Sequence, residues 1–499
     1  MRKHASDERL ESMWDWLKIH AVYPLIDLLG AGFFFLLTNF VIVLGIVCAV
    51  LIIRRISEER RSPGNTIAWL LLVLLVPFIG VPLYLMFGGR KSRRKARLKS
   101  AVNRYAQTLS RREPLRESKK REFSDTGSSA LCCKGNHCEL LPDGKSTYKR
   151  FLEEIDRAEH TIHIATYILG NDRSGQTIIE HLAKRAGEGI TVRLLLDSLG
   201  SWNKTRRSRI RIRQAGGEVA MFIPVLPLQS QTSANLRNHR KIAIFDNFRA
   251  ITGGQNLDNR FLGDWPDPDR FTDFSVVTQG PAVAELTQTF ISDWTFATKQ
   301  SPDRYKELLQ YIPEEAGNST VEVIASGPDM PEDPLWEQML RIVQEFRQHL
   351  TIVTPYFIPD DVLLQSLLVK AHTGRRIRLI LPLRSNKRIA DIARFRTLRQ
   401  LDAAGVEILF HQPNMLHAKL VLADDMIALT GSANIDARSL FVNFEIALAH
   451  YTARDIQSLT AWVNRLEKDC IAYQAAMDDP CLAPSKMSQD LVQLLVPLL

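Results

Sequence analysis

Residues 238–256 read NHRKIAIFDNFRAITGGQN, and residues 417–434 read HAKLVLADDMIALTGSAN. In the first stretch Ile242 and Ile244 alternate as in a half-buried strand, and the two-residue period puts His239 and Lys241 on one face. Asp246 and Asn247 carry a hairpin-turn signal, after which "AIT" returns toward Gly253, Gly254 and Asn256. The asparagine thus comes back beside the histidine. A solitary stretch of this kind reads equally well as a surface hairpin. This one recurs: His417, Lys419, Asp424, Gly431, Ser432 and Asn434 repeat the spacing, each 178 residues beyond its first-copy partner (417 against 239, 434 against 256).

Working outward, the same order of elements surrounds both stretches. "TIHIATYIL", "IIEHLAKRAGEG" and "ITVRLLLD" read as strand, helix and strand ahead of the first, and "LTIVTPYFI", "LLQSLLVKAHTG" and "RIRLILP" ahead of the second. Apolar strands alternating with helices predict an α/β fold with a mixed or parallel sheet covered by helices. A repeat of whole domains, each with half of a site, places an active centre at a pseudo-twofold interface. Two carboxylates fit that centre: Asp273 in "FTDFSVV", 34 residues after His239, and Glu445 in "FVNFEIAL", 28 residues after His417. An acid bonded to one ring nitrogen fixes the tautomer and leaves the other nitrogen facing the site.

At 499 residues the chain has room for two or three domains. "GFFFLLTNFVIVLGIVCAVLII", from Gly32 to Ile53, is uncharged and long enough to cross a bilayer, and a second uncharged run extends from Ala68 to Phe87. These runs predict a transmembrane hairpin over 32–87, with helices at about 32–53 and 66–87, after an N-terminal extension at 1–31. A basic linker over 88–130 follows, then domains over 131–312 and 318–499. The length of the first run and the presence of a second argue against a cleaved signal peptide. The dense positive charge of "RKSRRKARLK" after the second run puts the catalytic bulk in the cytoplasm. The loop "RRISEERRSPG" carries four arginines of its own and pulls the other way. The formal charge of +9 fits a membrane-surface partner, with nucleic acid or a merely solvated linker as alternatives. Six cysteines, Cys48, Cys132, Cys133, Cys138, Cys470 and Cys481, are too scattered for a disulfide framework. "CCKGNHC" matches no common zinc spacing and reads as free thiols.

Two histidines, two lysines and two asparagines at one centre suit an anionic phosphodiester. One neutral imidazole attacks phosphorus while the other, protonated, gives its proton to the leaving alkoxide, and the roles then reverse. Lys241, Asn256, Lys419 and Asn434 hold the non-bridging oxygens, and the hydroxyl of Ser432, which replaces Gly254 in the second copy, is available to the phosphate on one side only. The chemistry requires no metal and no cofactor. Asp246 and Asp424 sit at turns, which gives them a structural place within the six-residue motif set His239, Lys241, Asp246, His417, Lys419 and Asp424.

"HRKIAIFD" with "GGQN", and "HAKLVLAD" with "GSAN", resemble the paired HxKxxxxD motifs of the phospholipase D superfamily, which implies two phospholipase D-like α/β domains. "AWLLLVLLVPFIGVPLYLMFGGR", "GNHCELLPDGKSTYKRFLEEI", "ASGP", "TPYFIP" and "RSLFVNFEIAL" resemble the bacterial cardiolipin synthases in particular, over nearly the whole chain from about residue 40. That resemblance implies a multi-pass protein of the bacterial inner membrane acting on phosphatidylglycerol, with no nucleic-acid partner. One phosphatidylglycerol would pass its phosphatidyl group through a phosphohistidine to another, giving cardiolipin and glycerol. It further implies that Asp273 orients His239 and Glu445 orients His417, with His239 as nucleophile and His417 as general acid and base, although pseudo-symmetry permits the reverse. A phospholipase D-type hydrolase, a transphosphatidylase with another acceptor, a membrane-tethered nuclease and an inactive membrane scaffold are the competing readings. The C-terminal "LVQLLVPLL" reads as an interfacial segment or a tail packed on the domain. The "RRSRIRIRQ" stretch reads as a lipid-attracting or solvated face.

Overall fold

The computed structural model describes residues 63–76, 93–110, 132–201, 205–223, 236–330 and 332–477, with a few isolated positions between 39 and 84. The predicted extension 1–31, most of the first membrane run, part of the second and the C-terminal "LVQLLVPLL" lie outside them. Of the second run, a helix over Pro63–Leu75 is described, 13 residues long, with Trp69 and Val73 packed against Tyr84. Among the described residues no helix is long and apolar enough to cross a membrane. Residues 1–88 and 89–499 are separate compact units.

Among the described residues the second unit is built on seventeen strands. The first half supplies β1 (Cys133–Leu141), β2 (Thr161–Thr166), β3 (Thr191–Asp197), β4 (Glu218–Phe222), β5 (Ile242–Phe245), β6 (Arg249–Gly253) and β7 (Ser275–Gln279). The second supplies β8 (Ser319–Ser326), β9 (His349–Val353), β10 (Phe357–Ile358), β11 (Arg376–Pro382), β12 (Glu407–His411), β13 (Leu420–Ala423), β14 (Ile427–Gly431), β15 (Ile435–Asp436), β16 (Glu445–His450) and β17 (Cys470–Ala472). Fifteen form one sheet in the order β17-β12-β11-β9-β13-β14-β16-β8-β1-β7-β6-β5-β2-β3-β4. Read outward from β8 and β1, the halves have the same order apart from β17, which extends the second half by one edge strand, and β1 pairs antiparallel with β8 at the seam. Within each half of that sheet three strands are parallel and the rest antiparallel, the mixed sheet that βα units followed by a hairpin produce, while β10 and β15 form a separate parallel pair.

Two cores cross the seam. The helix Val283–Thr298 brings Val283, Leu286, Phe290 and Trp294 against Ile242 and Ile244 of its own half and Phe444, Ile446 and Leu448 of the other. Its counterpart Ala453–Leu466 brings Ile456, Leu459 and Trp462 against Leu420 and Leu422 of its own half and Phe274 and Val276 of the first. The halves therefore share apolar burial and form one body. Part of the predicted linker joins it: the helix Arg93–Leu109 buries Ala106 in the first of these cores and Lys99 between Asp293 (2.9 Å) and Asp329 (3.4 Å). The "RRSRIRIRQ" stretch is the helix Arg206–Gln214, which buries Ser208 and Ile212 and pairs Arg211 with Glu180.

Asp246 and Asn247, and likewise Asp424 and Asp425, turn the two motif hairpins with positive φ between 50° and 53°, a conformation that short polar side chains tolerate. The Asp246 carboxylate accepts the backbone N–H groups of Glu159, His160 and Thr161, and Asp424 those of Arg347, Gln348 and His349. Each aspartate thus fastens the motif hairpin to the loop leading into the neighbouring strand. Replacing Asp424 by alanine leaves three backbone donors without their acceptor. The variant is expected to lose about 1–3 kcal/mol of stability in denaturant unfolding while keeping near-native turnover at a temperature where it is folded.

Candidate functional site

The two motif strands begin at the seam. His239 N donates to Phe444 O (2.9 Å) and His417 N to Thr272 O (2.8 Å), within isolated parallel bridges that pair Asn238 with Phe444 and Thr272 with Leu416. Each histidine is thereby bonded to the strand entry that carries the other half's acid. His239 Nδ1 lies 3.0 Å from Glu445 Oε2, and His417 Nδ1 lies 2.8 Å from Asp273 Oδ2. This reverses the predicted pairing. Residues close in sequence belong to the same half, whereas each acid projects across the seam, so every acid–histidine pair contains one residue from each half.

Lys241 Nζ donates to His239 O (2.8 Å), and Lys419 Nζ stands 2.8 Å from His417 Nδ1 and 3.2 Å from its Nε2, also bonding His417 O. The histidine side chains retain 13% and 9% exposure, so the centre is nearly closed to water yet reachable. Tyr167 stands edge-on to His239 and Phe261 edge-on to His417, an aromatic wall on each side. Asn256 accepts from Ile168 N (3.3 Å) and Asn434 donates to the Ser439 hydroxyl (3.3 Å), which fixes both amides beside the motif strands.

The Ser432 hydroxyl is not free for phosphate. It donates to Glu445 Oε2 and accepts from Ile446 N (3.1 Å), and thus anchors the acid that holds His239. At the equivalent Gly254 a Cβ would lie 2.5 Å from Asp273 Oδ2. The serine–glycine difference between the two motifs is therefore a difference in how each acid is held.

Burial dominates the ionisation of the centre. It lowers Lys241 to about 8 and Lys419 to about 7, and raises Asp273 to about 6 against the pull of Lys419 and Lys241. Burial opposes ionisation of Glu445 too, but the His239 charge, Lys241 and the Ser432 hydroxyl outweigh it and hold that carboxylate below its usual range. Burial lowers both histidines. His417 falls further because Lys419, Lys241 and His239 add repulsion, whereas Glu445 partly restores His239.

A supporting network was invisible in the sequence. Arg240, between the motif's His and Lys, is buried and donates to Asp293 (2.7 Å), to Glu445 O (3.0 Å) and to Ser326 O (3.0 Å). Asn238 donates to the second Asp293 oxygen and its N–H to Asp197, while Lys99 completes the charge balance around Asp293. The available signal was a charged residue at an inward strand position where the second copy has Ala418.

The family model described as "Cardiolipin synthase, PLD-like domain" matches residues 151–294 and 339–467, and an N-terminal model, "Phospholipase_D-nuclease N-terminal", matches 43–89. The chain belongs to the cardiolipin synthase family, phosphatidyltransferases of the phospholipase D type. It is 32% identical to the cardiolipin synthase of Alkalihalophilus pseudofirmus over 418 residues, covering 81% of this chain and 82% of that one. It is also 32% identical to cardiolipin synthase 1 of Bacillus anthracis over 461 residues, covering 89% and 91%. In fold it is similar to a phosphatidylserine synthase of Haemophilus influenzae, at 15% identity and a TM-score of 0.56, over 72% of this chain and 92% of that one. Cardiolipin synthases with this N-terminal region are membrane-associated.

The acid anchoring makes a graded prediction. Gly254→Ala forces the Asp273 carboxylate away from His417 and is expected to lower kcat by about 10- to 100-fold. Ser432→Ala removes one of the hydrogen bonds to Glu445 and is expected to cost less than about tenfold. Steady-state rates of the two purified variants decide it; equal losses, or none for Gly254→Ala, would contradict the assigned roles.

Proposed function

We propose that the protein transfers a phosphatidyl group from one phosphatidylglycerol to another, giving cardiolipin and glycerol. The observation that carries this reading is the pair of buried histidines, each with its own carboxylate from the opposite half, beside two lysines whose charge burial makes costly until an anion arrives. Family membership supports the choice of lipid over other phosphodiesters.

In the first step neutral His239 Nε2 attacks phosphorus of the donor lipid and the bond from phosphorus to the glycerol headgroup oxygen breaks. His417, protonated, gives its proton to that oxygen, and glycerol leaves. In the second step neutral His417 takes the proton from the terminal hydroxyl of a second phosphatidylglycerol. The freed oxygen attacks phosphorus, and the P–N bond to His239 breaks. His239 is the better nucleophile because Glu445 stays ionised and stabilises the positive charge of the phosphorylated imidazole. His417, repelled by two lysines, releases its proton readily, and the substrate anion offsets that repulsion so that the proton can first bind. Lys241, Lys419, Asn256 and Asn434 hold the non-bridging oxygens. Low exposure of both histidines favours a lipid alcohol over water as acceptor. The apolar N-terminal runs anchor the enzyme as a multi-pass protein of the bacterial inner membrane, with the catalytic body on the cytoplasmic side.

Labelled phosphatidylglycerol in mixed micelles tests the assignment. Wild type is expected to release cardiolipin and glycerol, with a loss of about 10³-fold or more in His239→Ala and His417→Ala. A trapped phosphatidyl-enzyme is expected in His417→Ala and not in His239→Ala; the opposite pattern would exchange the two roles. Phosphatidic acid in place of cardiolipin would make the protein a hydrolase.

The acid–base groups predict a bell-shaped kcat/KM. Below about pH 6 Asp273 takes up a proton and ceases to accept from His417, so activity falls with falling pH; above about pH 7–8 Lys419 and then Lys241 lose their charge in the free enzyme, so activity falls with rising pH. Bound anionic lipid favours the ammonium forms and moves the alkaline limb of kcat upward. A pH profile flat from about pH 6 to pH 9 would exclude this account.

A further inference from the structure

Away from the two histidine motifs, Cys138 at the middle of β1, His450 at the end of β16 and Asp455 in the first turn of the helix Ala453–Leu466 meet at the seam. Their ligand atoms, a thiol sulfur, a ring nitrogen and a carboxylate oxygen, all lie within 4.8 Å of one another. None of the three contributes to the acid–histidine pairs. His450 is 1% and Asp455 7% exposed, and each keeps a polar atom without a hydrogen-bond partner: Nδ1 of the imidazole, whose Nε2 pairs with the Thr430 hydroxyl at 3.1 Å, and Oδ2 of the carboxylate. Orphaned polar atoms at such depth are costly and uncommon in folded proteins. A groove of about 550 Å³, bordered by Cys138, Asp455, His137 and Arg454, opens beside the cluster and gives an ion and its water a way in.

We propose that Cys138, His450 and Asp455 form a binding site for a zinc-class divalent ion that clamps the first half of the catalytic body to the second. The donor set is one thiolate, one neutral imidazole and one carboxylate, the borderline-soft combination that suits Zn²⁺, with water from the groove in the fourth position. Binding displaces the thiol proton to solvent, and the charge of the ion offsets that of the thiolate and the carboxylate. In a tetrahedral site the ligand atoms stand about 3.5 Å apart, so the side chains close in by about 1 Å on loading. The spacing in "CCKGNHC" gave no zinc pattern because only Cys138 of that segment takes part, and its partners come from the other half.

Metal-stripped full-length protein in detergent, titrated with Co²⁺, tests the site independently of the transferase reading. One ion per chain is expected, with a thiolate-to-cobalt charge-transfer band, displaced by Zn²⁺. Cys138→Ser should abolish the band, and His450→Gln and Asp455→Asn should each weaken binding by about 10- to 100-fold, while Cys470→Ser leaves it unchanged. Circular dichroism of each variant confirms that it is folded, and zinc is expected to raise the Tm of the wild type but not of folded Cys138→Ser. Absence of the thiolate band in the wild type, or its persistence in Cys138→Ser, would overturn the proposal.

Discussion

Each motif histidine is bonded to a carboxylate that belongs to the other half of the molecule, and the rest of the fold is arranged to keep those two bonds. The exchange makes either half chemically incomplete. Its geometry is set by the reciprocal bridges Asn238–Phe444 and Thr272–Leu416, which fix the histidine strand of one half against the acid strand of the other before any side chain is placed. Those bridges rest on the antiparallel seam of β1 and β8 and on two apolar cores that draw residues from both halves. A relative movement of the halves would therefore disturb both acid–histidine pairs together, and the shared apolar burial opposes it.

The pseudo-symmetry stops at the two acids and at the residue between each motif's histidine and lysine. Glu445 is held by Ser432 and stays ionised, while Asp273 lies against Gly254 and is pushed up to about 6. Arg240 stands where the second motif has Ala418, and its guanidinium bonds the Glu445 backbone, Ser326 and Asp293. Through Asp293 the network reaches Lys99 on the helix that precedes the catalytic halves. The His239 side is thus the more heavily braced, which supports the proposal that places the covalent intermediate there, and His417 is the histidine whose hold on a proton is weakened further.

The motif repeat at a spacing of 178, the alternation of strands and helices and the turn aspartates were all legible in the sequence, because periodicity and turn chemistry are local properties. The two acids were legible as candidates for the same reason, each lying at the entry to an alternating strand. Their pairing was not, since sequence distance ranks Asp273 nearer His239 and says nothing about which way a strand entry faces across an interface. Lys99, Asn238, Arg240 and Asp293 were also hidden. Each is ordinary in composition, and the signal that distinguishes them, a charge or amide at full burial, exists only once the helix Arg93–Leu109 and the seam are in place.

The electrostatic balance of the centre explains why a phosphodiester is its natural occupant. Two lysines and two histidines are gathered with two carboxylates in a place nearly closed to water, and burial acts on the lysines by reducing their hold on a proton. A neutral ligand would leave that cost in place. An anionic phosphodiester removes part of it by supplying a partner to both ammonium groups, and the charge that builds on the phosphoryl oxygens during transfer strengthens the same interactions. In the mechanism we propose, the groups that make the empty centre unfavourable are those that lower the barrier once the substrate is bound, so the desolvation cost and the catalytic gain arise from one arrangement.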